Sequence, residues 1–382
     1  MNFGRRFGTV ICAILVLATS SAAALDQNNP AADRSLTGNG EDSPPSFSEA
    51  TAELPQCDGC RCRSDGCPRW TVSADFIVLD RIGGGNQTLV EAVPRTVKYM
   101  DLFTTPGTEV LNSGNMQQGF CGGPRIGLTG HGDNGYDLEL SYFQIDGWHS
   151  DMIIVPNPAD WLVMRAPGTW LFGKKPWIQT NQGDTQAMAW DYGSKLYNAE
   201  CNVRWDPYPR VTMLGGFRWV NLGENLQGEL SPPTVAGEKP FWSGWTTNNL
   251  YGFQIGADGK VLERGRFSID GLVKAGIFDN DAEQTTAVSV IHKSVYSASY
   301  STNHAAFVGE TGLQCKYRVT NSLLLKAGYE VIWLDGVALA PEQIPETYTT
   351  THWHNSSVQA LGINCSSGAF YHGATAGLEY SF

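Results

Sequence analysis

The chain has 382 residues and a net charge of −12, from 26 lysines and arginines against 38 aspartates and glutamates. This balance argues against a nucleic-acid-binding protein, which would normally carry a basic patch. Charged residues are only 17% of the chain, while glycine occurs 43 times and aromatic residues reach 11%. That composition favours a β protein whose outer surface is not all in water. The sequence also excludes a helical membrane protein, because no long apolar run follows the N-terminus.

Residues 1–24 are interpreted as a secretory signal peptide. Arg5 and Arg6 supply the positive charge, a short apolar stretch follows at 10–18, and small residues up to Ala24 form an A-x-A cleavage site. The sequence therefore predicts an exported chain that is cleaved after Ala24.

Residues 25–69 are predicted to form a periplasmic tether. Its first part is polar and shows no periodicity, which indicates disorder. Its second part, the Cys57–Cys67 knot, holds four cysteines. In an oxidising compartment two disulfides are the favoured interpretation, although CxxC is also a zinc-ligand spacing.

Four further cysteines follow the knot. Cys121 and Cys365 fall in or near regions expected to be exposed, so they could form a disulfide with each other. Cys201 and Cys315 lie on apolar strand faces, where buried thiols are expected.

From residue 70 to residue 382 the sequence repeats one pattern, an alternating strand of roughly ten residues followed by a connection. The predicted strands lie near 70–80, 119–129, 136–146, 194–205, 210–222, 248–258, 266–278, 305–318, 323–334 and 369–382. Short connections at 130–135, 206–209, 259–265 and 319–322 alternate with long ones at 81–118, 147–193, 223–247, 279–304 and 335–368. This sorting is typical of transmembrane barrels, which have short periplasmic turns and long extracellular loops. The fold class predicted for 70–382 is all-β, a closed antiparallel transmembrane β-barrel of about ten strands.

The faces of the predicted strands agree with a barrel. In the last strand Leu378, Tyr380 and Phe382 share one face, and Glu379 and Ser381 share the other. Alternation alone would fit any half-buried strand, so a soluble β-sandwich stays open as an alternative. Tryptophans at strand ends favour the membrane, as interfacial girdles would. Those assigned to the short-turn side are Trp70 and Trp205, and those assigned to the long-loop side are Trp148, Trp219 and Trp333.

The C-terminal strand, with Leu378, Tyr380 and the terminal Phe382, resembles the assembly signal of bacterial outer-membrane proteins. The region 70–382 is also similar to the β-barrel porin family first described in planctomycetes. That resemblance rests on the sequences WTVSAD at 70–75, GPRIGL at 123–128 and LGGFR at 214–218. It implies an outer-membrane barrel, with a pore proposed by analogy.

Strand parity places charged side chains of both signs in the predicted lumen. The candidate lumen-lining residues are Asp75, Arg125, Asp137, Glu139, Glu200, Arg204, Arg218, Asp270, Lys274, Glu310, Lys326 and Glu330. A barrel of about eight strands already has an interior that side chains can fill. Because unpaired charges there would be costly, ion pairs are expected to occupy much of the lumen, which counts against a large open pore.

The sequence carries no complete catalytic, cofactor or metal motif. Residues 168–175 have P-loop-like spacing without the Ser/Thr that would hold Mg²⁺, and Asp279, Asp281 and Glu283 lack the glycine of a calcium loop. Histidines near the long-loop rim leave two hypotheses open, a surface metal site and a hydrolase that uses Asp and His. They are His304, His352, His354 and His372. Tryptophans crowd the long loops and could bind sugar or a partner, although packing is favoured. These are Trp161, Trp170, Trp177, Trp242 and Trp245.

The leading functional hypothesis is a narrow outer-membrane porin for passive passage of small solutes, without covalent chemistry or cofactor. The alternative is a closed structural or surface-recognition barrel that acts through its extracellular loops. A hydrolase at the loop rim is the third hypothesis. The expected partners are outer-membrane lipid, the barrel-assembly machinery through the C-terminal strand and small solutes, and not nucleic acid.

Overall fold

The computed structural model describes residues 68–83, 85–98, 101, 105–165, 187–231, 241–289, 296–351, 356–360 and 362–382. All of them belong to one compact unit. The predicted signal peptide, the predicted tether up to residue 67 and the Cys57–Cys67 knot lie outside the described residues. So do the P-loop-like segment 168–175, Trp170, Trp177, His352 and His354.

The described residues form fifteen strands, numbered in chain order. They are β1 (Trp70–Ile82), β2 (Thr88–Pro94), β3 (Thr108–Asn112), β4 (Phe120–His131), β5 (Tyr136–Ile154), β6 (Asp160–Met164), β7 (Ala187–Tyr208), β8 (Val211–Ser231), β9 (Phe241–Arg264), β10 (Phe267–Ser289), β11 (Tyr296–Arg318), β12 (Leu323–Val337), β13 (Thr347–Thr351), β14 (Ser356–Ala360) and β15 (Ser367–Ser381).

Ten of these strands close into an antiparallel barrel in the order β1-β15-β12-β11-β10-β9-β8-β7-β5-β4. β1 closes the barrel because it pairs with β4 on one side and with β15 on the other. The predicted fold class is therefore confirmed. Closure pairs the backbone groups of every barrel strand, which lipid requires because it offers no hydrogen bonds of its own.

The outer face of the barrel carries an apolar belt. Phe253 and Ile277 point outward and expose 77% and 76% of their surface. On β10 the outward apolar residues extend from Phe267 to Ile277. The strand segment between these two residues is about as long as a tilted strand must be to cross a bilayer. Among the described residues no helix is long and apolar enough to cross a membrane.

Trp148 is a correction to the predicted girdle. Gly147 has a φ of 96° and forms a bulge at the point where the β5–β7 register shifts. The bulge turns Trp148 into the barrel, where it is 1% exposed and donates a hydrogen bond to the Leu79 carbonyl. Trp219 and Trp333 keep the predicted outward parity on the long-loop side.

Six strands, β5 and β7 to β11, continue beyond the belt, which corrects the predicted connections 147–193, 223–247 and 279–304. Where they leave the belt, the hydrophobic face of the strand inverts. On β10 the outward residues after Ile277 are Asp279 and Asp281, while Phe278 and Ala282 are buried inside. A strand exposes apolar residues to lipid but buries them when water lies outside, so the inversion marks the edge of the membrane. We call the part of these six strands beyond the inversion the extended wall.

The short turns differ from prediction at two places, and at the first of them β7 continues to Tyr208, so that Pro209 and Arg210 alone form the connection predicted at 206–209. The predicted connection 259–265 is mostly strand, because β9 continues to Arg264 and β10 begins at Phe267. Gly265, with a φ of 63°, and Arg266 alone form this turn. Such a two-residue hairpin needs a residue that tolerates positive φ.

A three-stranded sheet, in the order β3-β2-β6, covers the lumen inside the extended wall. Five buried residues of this sheet pack against the wall in one hydrophobic cluster, while Val93, Trp161 and Val163 form a second cluster. Leu89, Leu111 and Leu162 come from the small sheet, and Trp190 and Trp242 come from the wall. We call β2, β3 and β6 the cap. The predicted connection 81–118 therefore contains strands that belong to a buried core.

The described cysteines are all free thiols, so the predicted disulfide between Cys121 and Cys365 is wrong. Cys201 and Cys315 are exposed rather than buried, because both lie on the outward strand faces that form the apolar belt. Cys365 is buried beside Ile363 and Ala338.

Candidate functional site: a filled lumen

The deepest charged cluster of the lumen lies at the middle of β7, β8, β10 and β11. The Arg218 guanidinium is 2.8 Å from Glu310 and 3.6 Å from Glu200. Lys274 lies 2.9 Å from Glu200 and 3.3 Å from Glu310. Two acids thus face two bases, and all four side chains are at least nine-tenths buried. This closed set of pairs keeps each charge compensated away from bulk water.

Amide side chains and a fifth and sixth charge complete this inner cluster. Arg218 donates to Asn198 over 2.6 Å. Arg125 makes two hydrogen bonds of 2.7 and 2.6 Å to Glu330 and stacks 4.9 Å above the Phe143 ring. A bidentate pair of this kind fixes both side chains in one geometry. The inner cluster therefore holds three acids and three bases in a rigid array.

A second ring of charges lies nearer the short turns. Arg204 bridges Glu139, at 2.5 Å, and Asp258. Lys326 lies 3.1 Å from Asp75 and 3.8 Å from Glu379.

The same ring contains Lys316, 2.7 Å from Asp270. It also contains His131, whose Nδ1 is 2.9 Å from Asp137. The ring has six carboxylates against three lysine or arginine side chains, so its potential is negative and attracts cations.

We call the second ring of charges the outer ring. The inner cluster and the outer ring surround a polar cavity of about 320 Å³, which we call the vestibule. Of the twelve lumen residues predicted from the sequence, eleven line the vestibule. Arg218 is buried behind it and paired with Glu310. The structure thus places the side chains that strand parity assigns to the lumen around one cavity in the half toward the short turns.

Above the vestibule the lumen is filled by apolar side chains. The barrel wall contributes residues to this cluster from nine of its ten strands, among them Ile77, Ile145, Leu222, Leu250 and Ile332. We call this cluster the apolar plate. All five of these residues are at most 1% exposed. Because the inward positions of all these strands meet in one cluster, the plate spans the lumen.

The end of β12 and the segment after it, 336–346, also contribute to the plate, and we call this segment the plug. It begins at Gly336, whose φ of 81° turns the chain from β12 into the lumen. A side chain here would also meet the Ala305 carbonyl at 2.6 Å. Val337 and Leu339 belong to the apolar plate and are at most 1% exposed. The plug and the inward residues of the wall therefore form one continuous apolar cluster.

Buried amides of the wall hold the plug backbone. Asn248 accepts a hydrogen bond from the Ala338 N–H over 2.7 Å and donates one to the Ala338 carbonyl over 2.8 Å. Asn280 donates to the Gly336 carbonyl over 3.1 Å and to Asn248 over 3.0 Å. Both amides are completely buried, so the plug satisfies groups that would otherwise be unpaired.

A buried ion pair holds the next residue of the plug. The Glu224 carboxylate accepts hydrogen bonds from the Ala340 N–H over 2.9 Å and from the Tyr192 hydroxyl over 3.0 Å. The same carboxylate pairs with Arg81, whose side chain is 2% exposed. The Glu224 carboxylate thus contacts a guanidinium, a hydroxyl and a backbone N–H of the plug at the same time.

Sequence reasoning missed Arg81, Glu224, Asn248 and Asn280, because it placed most of them in loops. The inversion of the hydrophobic face is the signal that could have found them. On β8 the apolar residues other than the buried Leu214 are outward up to Trp219 and inward from Val220 onward. Polar residues on the inward face beyond that point are candidates for plug contacts.

The other predicted chemical groups do not assemble into a site. His304 is exposed on β11, and Asp279, Asp281 and Glu283 follow one outward face of a strand rather than a calcium loop. His372 is also outward and hydrogen-bonds the Tyr329 hydroxyl over 2.6 Å. No group of three or more His, Cys, Asp or Glu in the described ranges is arranged to hold a metal ion.

The tryptophans of the predicted long loops serve packing where they are described. Trp242 is fully buried against Trp190, with the ring centroids 6.1 Å apart. Trp161 is buried in the cap under Arg95, at 4.4 Å. Trp245 faces outward on the extended wall and is partly exposed.

Several solved structures match the barrel. The outer-membrane protease OmpT from Escherichia coli is 8% identical with a TM-score of 0.44, and the match covers 84% of this chain and 99% of that chain. The toluene transporter TodX from P. putida is 10% identical with a TM-score of 0.31, covering 83% and 90%. The translocator domain of the autotransporter NalP from Neisseria meningitidis is 10% identical with a TM-score of 0.33, covering 84% and 90%. These likenesses concern the barrel fold alone.

A comparison with curated proteins gives no match. The profile of the family described as "Putative beta barrel porin-7" matches residues 187–382, just over half of the chain. The match begins with β7 and ends at the C-terminal residue, and it includes the LGGFR sequence at 214–218. The chain therefore belongs to this family of β-barrel porins.

Proposed function

We propose that this protein is an outer-membrane barrel closed to solutes, which acts outside the membrane through its extended wall and cap. The observation that carries the proposal is the apolar plate, to which the plug contributes Val337 and Leu339. Ions and small polar solutes cannot be solvated in such a layer, because burying a polar group without partners costs several kcal/mol (roughly 2–7). The structure thus gives more support to a closed structural or surface-recognition barrel than to a porin.

Passive passage of small solutes is the second candidate function. The vestibule favours it, because its charged walls offer a hydrated path through about half of the lumen. Passage through the remaining half requires that the plug leave the plate. The excess of carboxylates in the outer ring would then favour cations over anions.

The proposal includes no covalent chemistry. The family is described as a porin, and the buried charged groups pair with one another rather than with an open cleft. A rim-sited hydrolase would need an acid, a base and space for a substrate together. His304 is exposed on β11 directly opposite Asn280 of β10, and His372 hydrogen-bonds the Tyr329 hydroxyl.

We further propose location in the outer membrane after export, with assembly through the last strand. Leu378, Tyr380 and Phe382 share the outward face of β15 and its end, as the sequence pattern requires. The outward apolar belt supports lipid as the surrounding medium.

Solute uptake by reconstituted vesicles tests the closed state. Vesicles with the mature barrel are placed in isotonic solutions of a small amino acid or sugar, and their swelling is followed by light scattering. We expect vesicles that contain the barrel to swell at the same rate as protein-free vesicles. Swelling that depends on solute size would contradict the closed state and favour the channel.

A further inference from the structure

The extended wall has an edge at β5 that pairs on one side only. β5 pairs with β4 as far as Phe143, and the Cys121 thiol then lies 3.0 Å from the Asp146 carbonyl. After the bulge at Gly147, residues 148–154 pair with β7. On the side away from β7, no described residue forms a backbone hydrogen bond with this segment. We call residues 148–154 the wall edge.

The wall edge rises far beyond the apolar belt. Ile153 lies in one row with Glu229 of β8 and Ser289 of β10. Ser289 follows Ile277, the last belt residue of β10, by twelve residues along the strand. The medium around the wall edge is therefore water, and a row of unpaired N–H and C=O groups there is a template for a further strand.

The side chains of the wall edge do not protect it from such pairing. Exposed edges of native sheets commonly carry lysine or proline, which discourage a further strand. Residues 148–155 contain neither, and their last four residues are Met, Ile, Ile and Val. Ile153 and Val155 expose 65% and 70% of their surface, whereas outward positions elsewhere on the wall are polar, as at Asp281 and Glu283. Exposed apolar residues beside an open edge indicate an interaction site.

The barrel below the wall edge restricts what can occupy it. β4 is the neighbour of β5 on this side of the barrel. A strand paired with residues 148–154 therefore stands above β4, which fills the same column within the belt. A transmembrane strand of a second copy in the same membrane would have to pass through β4. The occupant is therefore an extended segment that ends above the membrane.

The charges beside the wall edge favour a basic occupant. Asp146, Asp151 and Asp191 lie on the outward faces of β5 and β7. Lys195 is the lysine of this group, paired across the strands with Asp146. His149 lies 3.3 Å from Asp151 and 3.2 Å from Asp191. The side chain of Asp151 is 76% exposed, so a lysine or arginine of another chain can reach it.

We propose that the wall edge binds an extended segment of another extracellular protein by strand addition, with Ile153 and Val155 contacting its apolar residues and Asp151 its basic ones. Backbone hydrogen bonds to residues 148–154 supply the pairing, and the alternating side chains select the sequence. This inference rests on the part of the proposed function that places the activity on the extended wall. It does not depend on whether the lumen is closed.

Fluorescence anisotropy with the mature barrel in neutral detergent tests this site. The probe is a short labelled peptide in which isoleucine and lysine alternate, and a second peptide has the same side chains with every amide N-methylated. We expect the wild type to bind the first peptide and not the second, because N-methylation removes the donors that strand addition needs. Ile153→Lys should weaken binding of the first peptide about tenfold, since it removes an apolar contact and adds a like charge.

The matched control is Thr247→Lys, which adds the same charge to the outward face of β9 in the middle of the wall and should leave binding unchanged. Heat-modifiable migration on gels shows that each variant is folded. Failure of the wild type to bind the first peptide, equal binding of both peptides, or unchanged binding by Ile153→Lys would overturn the proposal. So would a dimer that Ile153→Lys dissociates, because a second copy would then cover the edge. Vesicle swelling reports on the lumen and this titration on the wall, so failure of one is distinguishable from failure of the other.

Discussion

The two halves of the lumen differ in what fills them. Toward the short turns, charged residues pair across strands and leave a vestibule of about 320 Å³. Toward the long loops, apolar side chains of the wall and the plug pack into one buried cluster. Both halves obey the same alternation of strand faces. Strand parity determines which residues point inward, but the polarity of those residues determines whether the lumen can hold water.

The medium outside the strand explains the difference. Within the belt the outward positions must be apolar, so inward positions can be charged, as at Lys274. Beyond the belt water lies outside, and the apolar residues turn inward, as at Phe278. The upper half therefore has a core like that of a soluble β protein, completed by plug and cap.

The largest effect is expected from breaking the inner charged cluster. Arg218→Leu leaves Glu200 and Glu310 with Lys274 as their remaining base, so unfolding in urea should become easier by about 3–5 kcal/mol. The control is Lys260→Ala, in an exposed pair with Glu263 at 3.2 Å, which should cost less than about 1 kcal/mol. Equal losses in the two variants would show that the lumen charges are solvated.

The next effect concerns the apolar plate. Leu250→Ala removes a fully buried side chain and should destabilise the barrel by about 2–4 kcal/mol, because the rigid wall cannot fill the cavity. Leu313→Ala is the control, since Leu313 faces outward and lipid tails fill the space it leaves. The measurement is again urea unfolding in the presence of lipid. A similar cost at both sites would mean that the plate is loosely packed.

A smaller effect is expected at the contact between wall and plug. Asn248→Ala removes both hydrogen bonds to Ala338 and should cost about 1–3 kcal/mol. Because the plug loses its anchor, brief current openings are expected in a planar bilayer. The neighbouring Asn249→Ala, on the outward face, should stay silent, since its amide contacts Asn221 instead. Silence from folded Asn248→Ala barrels would show that the remaining contacts suffice to hold the plug.

The smallest effect is kinetic and concerns Cys365. Burial raises the pKa of this thiol to about 11, so the thiolate that reacts with iodoacetamide is scarce at pH 8. Labelling of Cys365 should be slow at pH 8 and accelerate as the pH rises toward 11. The same chain unfolded in urea should label rapidly at pH 8. Fast labelling of the folded barrel would indicate that the region beside the plug opens readily.

The sequence predicted the strands and the lumen charges because both depend on a period of two. Asp75 and Glu330, for example, follow directly from parity. It did not predict the cap, because Trp161 to Met164 are all buried and show no alternation. It placed Trp148 outside because a single glycine bulge inverts the parity after it. The sequence did not predict the plug, because its backbone is held by amide side chains that are far away in the sequence. No local pattern indicates such contacts.

Single-channel current across a planar bilayer tests the closed lumen most directly. The refolded mature chain is inserted, and its folding is established by heat-modifiable migration on gels. The apolar plate predicts that inserted wild-type barrels carry no steady current, whatever the salt. A steady ohmic current would contradict the closed state. A cation-shifted reversal potential would then identify the outer ring of carboxylates as the entrance of a working channel.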